Sequence, residues 1–169
     1  MEQSSENKIE FKDKFLRFFL HHKIKIYIFL IIFFTAISSL IYMENYNKKQ
    51  NKLIAEKYIQ AGLHLSSKDE ENAILLFEEI ILSKNNFYSI LALNIIVEKN
   101  LITDKIRVLE YFKILEDSIS SKDENDLILF KKALYLIKNS EIEKGKNIMK
   151  NLTDQNSNLK SIVEEFLKK

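Results

Sequence analysis

The chain has 169 residues and a formal net charge of +2, with no cysteine, no proline and only two glycines. That length allows one ordinary domain beside a targeting segment, and the missing thiols exclude disulfides and cysteine-based metal sites. The charge is uneven: residues 1–25 hold six basic and four acidic side chains, 26–43 hold none, and 44–169 hold 20 of each. The neutral C-terminal part therefore lacks the net positive face with which a nucleic-acid binder displaces counterions.

The first element is an arm over residues 1–23. Its stretch IEFKDKFLRFFLHH places Phe11, Phe15, Phe18 and Phe19 at i, i+4, i+7 and i+8, with Glu10, Asp13, Lys14 and Arg17 off that stripe. This spacing predicts either a short helix lying on a membrane surface or a continuation of the helix that follows. The four acidic residues of the arm argue against a mitochondrial transit peptide.

The second element is the run IKIYIFLIIFFTAISSLIYM, residues 24–43, read as a transmembrane signal anchor. No charge stands between Lys25 and Glu44, which leaves 18 uncharged positions. At about 1.5 Å per residue these make roughly 27 Å of helix, close to the ~30 Å of a hydrocarbon core. Lys25 can carry its ammonium back to the headgroups, so Ile24 extends the span. Tyr27 and Tyr42 stand near its two ends, where amphipathic rings prefer the interface. A buried core helix is usually shorter and keeps a polar face. Ala36-Ile37-Ser38 has the small-x-small pattern of a signal-peptidase site, but the apolar stretch runs on through Leu40, Ile41, Tyr42 and Met43. The continuation favours an uncleaved anchor over release near Ser38. Five Lys or Arg precede the span within 15 residues (Lys12, Lys14, Arg17, Lys23, Lys25) and four follow it (Lys48, Lys49, Lys52, Lys57). The bias places the N-terminus inside by a margin of one. A short arm that stays behind, with the long domain following the anchor across, agrees with that orientation.

Residues 44–169 show apolar spacing near 3.6 and no sustained alternation, which predicts helices at 46–65, 69–83, 87–98, 104–119, 124–138, 141–152 and 158–167. Ser67 with Glu70 and Ser140 with Glu143 read as capping boxes, and Thr103 and Asp123 as N-caps. Two templates recur along these helices. The first is Tyr58-x-x-Ala61-Gly62-x-x-Leu65, then Tyr88-x-x-Leu91-Ala92-x-x-Ile95, then Phe130-x-x-Ala133-Leu134-x-x-Ile137. The second, in the following helices, is Ala73-x3-Phe77-x2-Ile80, Val108-x3-Phe112-x2-Leu115 and Gly145-x3-Met149-x2-Leu152. Every element of the first pair has a counterpart 72 residues later in the third, which is two periods of 36. An aromatic fills the gap between paired helices, a small residue lets them approach, and further apolar residues bury the next hairpin. A generic helical bundle would reproduce part of this pattern. The expected fold is all-α: a single N-terminal transmembrane helix followed by a degenerate tetratricopeptide-like helical-hairpin solenoid. The last helix, with Leu159, Ile162, Val163 and Phe166 on one face and charges elsewhere, reads as its terminal cap.

The charged arm with Phe18-Phe19, the single span and the degenerate hairpins together resemble the YfgM-like family, tetratricopeptide-like ancillary subunits of the bacterial Sec translocon. The local likeness lies in FYSILAL (87–93) and ENDLILFKKALYLIKNSE (124–141). The resemblance implies a single-pass protein of the bacterial inner membrane with a cytoplasmic N-terminal arm and a periplasmic domain at 44–169. It also implies a non-enzymatic scaffold whose partners are translocon subunits, a membrane-anchored periplasmic chaperone or client helices. The alternative is an exported envelope structural or interaction protein released by cleavage near Ser38.

Chemistry is sparsely encoded. His21, His22 and His64 have no metal-ligand partner at i+3 or i+4. Neither a Gly-rich phosphate loop nor an H-E-x-x-H motif is present. The acidic clusters at 69–71 and 123–126 sit at expected helix starts, where the dipole favours them. The sequence therefore predicts no enzyme activity, no catalytic residue, no metal, no cofactor, no small-molecule substrate and no nucleic-acid partner. Projected onto stacked hairpins, the first-helix template turns Ile59, Leu63, Leu93, Ile96, Val97, Ile128 and Tyr135 toward a concave groove with Lys131 and Lys138 at its rim. Each of these residues could equally be core covered by a neighbouring hairpin.

Overall fold

A computed structural model describes the backbone of residues 3–168 and the side chains of 21, 23–25 and 27–168. The described residues form seven helices and no strand: α1 (Gln3–Ser66), α2 (Glu70–Leu82), α3 (Asn86–Lys99), α4 (Lys105–Ser118), α5 (Lys122–Lys138), α6 (Ile142–Asp154) and α7 (Lys160–Leu167). The chain divides into two compact units, Met1–Lys49 and Gln50–Lys169.

The first unit consists of the N-terminal part of α1. The Phe-rich stretch is helical and runs into the apolar stretch without a break; the side chains of Phe11, Phe15, Phe18 and Phe19 lie outside the described residues. Every described side chain from Ile24 to Met43 is exposed. α1 is long and apolar enough to cross a membrane, and none of its apolar window is buried. Within it, Thr35 Oγ1 donates to the carbonyls of Ile31 at 2.8 Å and Ile32 at 2.9 Å, so the hydroxyl is satisfied by its own helix, as an apolar solvent demands. Sequence spacing predicts a fresh helix at 46, but the structure keeps one helix from Gln3 to Ser66. Between Lys25 and Gly62 there is no proline or glycine to interrupt it, and Glu44–Lys48, at 2.6 Å, adds an i,i+4 pair at the point where the apolar run gives way to charge.

The second unit holds the core. The second template is buried in all three copies: Ala73, Phe77, Ile80, Val108, Phe112, Leu115, Met149 and Leu152 are each at most 1% exposed, and Gly145 is buried with them. Ala61, Ala92 and Ala133 are fully covered, and the aromatics Tyr58, Tyr88 and Phe130 are half-buried one turn before them. The core has two parts. A larger one is built from α1 to α5 around Phe77, Ile96 and Phe112, and a smaller one from α5, α6 and α7 around Ala133, Met149, Leu152 and Val163. α5 and α6 share the most extensive packing, followed by α2 with α3.

Helix ends follow from the scarcity of glycine. Lys68, Asn100, Ser140 and Asn156 take left-handed backbone with φ of 64°, 52°, 67° and 51°. At each, the next residue's N–H reaches back across the last turn: Asp69 N to His64 O, Leu101 N to Ile96 O, Glu141 N to Leu136 O and Ser157 N to Leu152 O, at 2.9 to 3.1 Å. These are Schellman closures, usually made by glycine, here made by other residues at a conformational cost. Lys68 and Ser140 are 72 residues apart. The closures displace the expected capping boxes. Ser140 is left-handed and cannot cap α6, and Ser67 Oγ donates to Leu63 O at 2.6 Å. Asp69 caps α2 by accepting from Asn72 N, and Asp104, not Thr103, caps α4 by accepting from Ile106 N at 2.9 Å. α5 begins after Ser121, before the expected Asp123.

Candidate functional site

The best-formed cavity lies among α3, α4 and α5 and measures about 180 Å³. α3 contributes Asn94, Val97 and Glu98, at i, i+3 and i+4. α5 contributes Lys131, Leu134, Tyr135 and Lys138, at i, i+3, i+4 and i+7. Each set is one helical face. Phe112 of α4 closes the floor, its ring centroid 5.8 Å from that of Tyr135 at an interplanar angle of 42°. Burial, with Asp104 nearby, raises the Tyr135 phenol above its ordinary pKa, so at neutral pH it is an uncharged hydroxyl on an aromatic wall.

Four of the nine residues projected onto a groove meet here: Val97, Lys131, Tyr135 and Lys138. Leu93, Ile96 and Ile128 belong instead to the core, at 3%, 0% and 1% exposure. Their helices present those positions to the larger apolar cluster, so they have no surface to offer a partner. Ile59 and Leu63 are 62% and 63% exposed on α1 and take no part in the cavity. Asn94, Glu98, Phe112 and Leu134 were not anticipated. Asn94 and Glu98 were legible as the i−3 and i+1 neighbours of Val97 on its helix face, whereas Phe112 belongs to the core template and only the three-dimensional packing turns its ring toward the cavity.

The lysines of the second unit set this cavity apart. Four are half-buried: Lys57, Lys105, Lys131 and Lys132. Lys57 meets Glu79 at 2.7 Å, Lys132 meets Glu116 at 2.8 Å, and Lys105 pairs with Glu141. Lys131 faces no carboxylate among the described residues, and neither does Lys138 at the other end of the cavity. A partly desolvated ammonium with no counter-charge is costly, and its position on the rim leaves room for an anion from outside.

Elsewhere the polar chemistry is structural. Glu78 of α2 is buried, and Arg107 Nη2 of α4 approaches its two oxygens at 2.6 and 2.5 Å. Tyr111 donates its hydroxyl to Glu78 and accepts from Arg107 Nε at 2.9 Å. Burial, then the bond to Glu78, pushes the Tyr111 phenol up to about 12. The hydrogen bond with Tyr111, and the charge of Glu78, raise Arg107 further. The three side chains pin α2 to α4. His64 Nδ1 lies 2.8 Å from Asp69 Oδ2, across the closure of α1. The side-chain bond from Asn72, then that from His64, holds the Asp69 carboxyl below its usual range. Among the described residues no three His, Cys, Asp or Glu side chains converge as a metal site requires.

No family model, curated protein or solved structure matches the chain. What the cavity does must follow from its own chemistry.

Proposed function

We propose that the protein is a membrane-anchored interaction scaffold of the bacterial inner membrane, with residues 24–43 as an uncleaved anchor and the 44–169 domain in the periplasm. On this reading it assists protein export at the Sec translocon together with a periplasmic chaperone, in the manner the YfgM-like resemblance implies. The observation that carries the reading is the apolar stretch of α1, whose described side chains from Ile24 to Met43 are all exposed. A contiguous apolar surface of that extent is unfavourable in water and natural in lipid. The domain behind it supports a binding role. Its cavity of about 180 Å³ is smaller than the ~300–1,000 Å³ typical of small-molecule sites, and is of a size to take one side chain of a protein partner. The recurrence of buried Ala, Phe and aliphatic positions at offsets of 35 and 37 residues supports a tetratricopeptide-like stacking of hairpins.

A reporter fused after Lys169, read together with the intact mass of the mature protein and the composition of mild-detergent eluates, tests this. The expected outcome is full mass, a reporter active only outside the cytoplasm, and co-elution of translocon or chaperone subunits. A mature chain beginning after Ser38 would establish the released envelope protein instead. A monomer that elutes alone while the translocon stays intact would defeat the scaffold reading.

A further inference from the structure

The α3–α4–α5 cavity has an apolar floor of Val97, Phe112 and Leu134, and its α5 wall carries Lys131 and Lys138, both without a carboxylate partner among the described residues. The two lysines are seven positions apart, about 10.5 Å along the helix at ~1.5 Å per residue. Leu134 and Tyr135 stand midway between them, so a group seated over the floor centre is about 5 Å along the axis from either ammonium. One turn of an α-helix advances ~5.4 Å. The spacing therefore matches a helical ligand whose apolar anchor and acidic residue are separated by three or four positions. The cavity volume, about 180 Å³, exceeds the ~150 Å³ of an apolar cavity that takes up a benzene, so one aromatic or branched aliphatic side chain fills it. Glu98 on the opposing α3 wall repels a carboxylate there and leaves the α5 side as the favoured one.

We infer that this cavity docks an amphipathic helix of a protein partner, seating one large apolar residue over Phe112 and placing an Asp or Glu side chain, three or four positions away, against Lys131 or Lys138. The inference rests on the scaffold reading and specifies which partner helices the scaffold selects. The half-buried Lys131 is the principal determinant, because Lys57, Lys105 and Lys132, equally half-buried, all have internal counter-charges and Lys131 has none.

The test is selection of a random 12-residue peptide display library against the full chain in lipid nanodiscs, followed by affinity measurement of enriched peptides. Enriched sequences are expected to pair Phe, Leu or Ile with Asp or Glu three or four positions away. Their affinity is expected to fall about tenfold in Lys131→Met, which keeps the apolar stem, to survive in Lys131→Arg, and to weaken with salt. Matching melting curves for the two variants exclude misfolding as the cause. Enrichment of neutral or basic peptides, or acidic peptides indifferent to Lys131→Met, overturns the carboxylate assignment while leaving a protein-binding scaffold. A library that yields no binder overturns the docking site itself, whereas the topology and mass measurements report separately on the anchor.

Discussion

Gly145 and Gly62, the only two glycines of the chain, respond oppositely to the same substitution. Both lie inside helices, where replacing glycine by alanine gains about 0.8–1 kcal/mol of helix propensity. At Gly62 a new Cβ meets no heavy atom within 4 Å, so Gly62→Ala keeps that gain. At Gly145 the same Cβ would lie 2.5 Å from Ile137 Cγ1 and 2.7 Å from the Ala133 carbonyl oxygen. Ile137 can turn aside for about 0.5–1.5 kcal/mol. The carbonyl is backbone of α5 and can retreat only if α5 and α6 separate, and overpacking of that kind costs typically ~1–3 kcal/mol. Offsetting the propensity gain leaves Gly145→Ala destabilised by about 1–3 kcal/mol, against a stabilisation of up to ~1 kcal/mol for Gly62→Ala. For a domain of this size each kcal/mol moves the melting temperature by roughly 3–6 °C. Urea and thermal melts followed at 222 nm on the full chain in nanodiscs should show Gly62→Ala melting above the parent and Gly145→Ala clearly below it. The double variant Gly145→Ala/Ile137→Ala should not recover the parent's stability, because it removes the side-chain clash and leaves the carbonyl. Gly145→Ala melting at or above the parent would refute the close approach of α5 and α6 on which the smaller core depends.

The alkaline limb of stability should report on Tyr111. Its folded-state pKa of about 12 stands above the ordinary ~10, so the neutral phenol favours the folded state. That contribution is fully present below pH ~10 and is lost as pH rises through about 12, on the order of 2–3 kcal/mol in all. Denaturant melts across that range should show this loss in the parent and lack it in Tyr111→Phe; equal slopes would show that the Glu78–Tyr111 contact is not buried as described. Phe112→Ala should cost about 3–5 kcal/mol as a cavity-forming change, whereas Phe87→Ala should fall within ~0.5 kcal/mol of the parent, because Phe112 is 1% exposed and Phe87 is 64% exposed. Chemical denaturation of the two variants side by side checks the contrast.

The domain's helices were legible because its apolar positions keep a 3.6-residue period, and from the second predicted helix onward the bounds agree with the structure to within two residues. The beginning of the first was not. The change at Glu44 from apolar to charged reads as a boundary, yet composition does not break a helix; only proline, glycine or a competing cap does, and none stands there. The capping boxes failed for a related reason. Ser67 and Ser140 have the right residue three positions on, but the chain around each is committed to closing the previous helix, and a left-handed Lys68 or Ser140 fixes where the next one can start. Period also cannot say which apolar face a neighbour covers. Leu93, Ile96 and Ile128 satisfy the groove projection as well as Val97 and Tyr135 do, and they are core because the packing of α3, α4 and α5 places them there. The unpaired charge at Lys131 is invisible in sequence. Acidic residues abound nearby in the chain, and only the folded arrangement shows that Glu116 is matched to Lys132, its neighbour in sequence.

The proposed anchor and the small cavity fit one another energetically. A single side chain in a cavity of about 180 Å³, with one charge-assisted contact, falls well short of the ~1,200–2,000 Å² that stable interfaces bury, so affinity for a free ligand would be weak. Holding scaffold and partner at one membrane replaces bulk concentration by an effective one that reaches the millimolar range for short tethers. Under that condition a weak, selective contact is occupied most of the time, yet it releases quickly, because dissociation rates carry most affinity differences between related complexes. A factor that meets successive helices emerging at a membrane gains from both properties. Severing the chain between Met43 and Gln50 should therefore abolish function in cells while leaving peptide affinity at the α3–α4–α5 cavity unchanged. Full function from a soluble 50–169 fragment at native expression would remove the reason for an anchor.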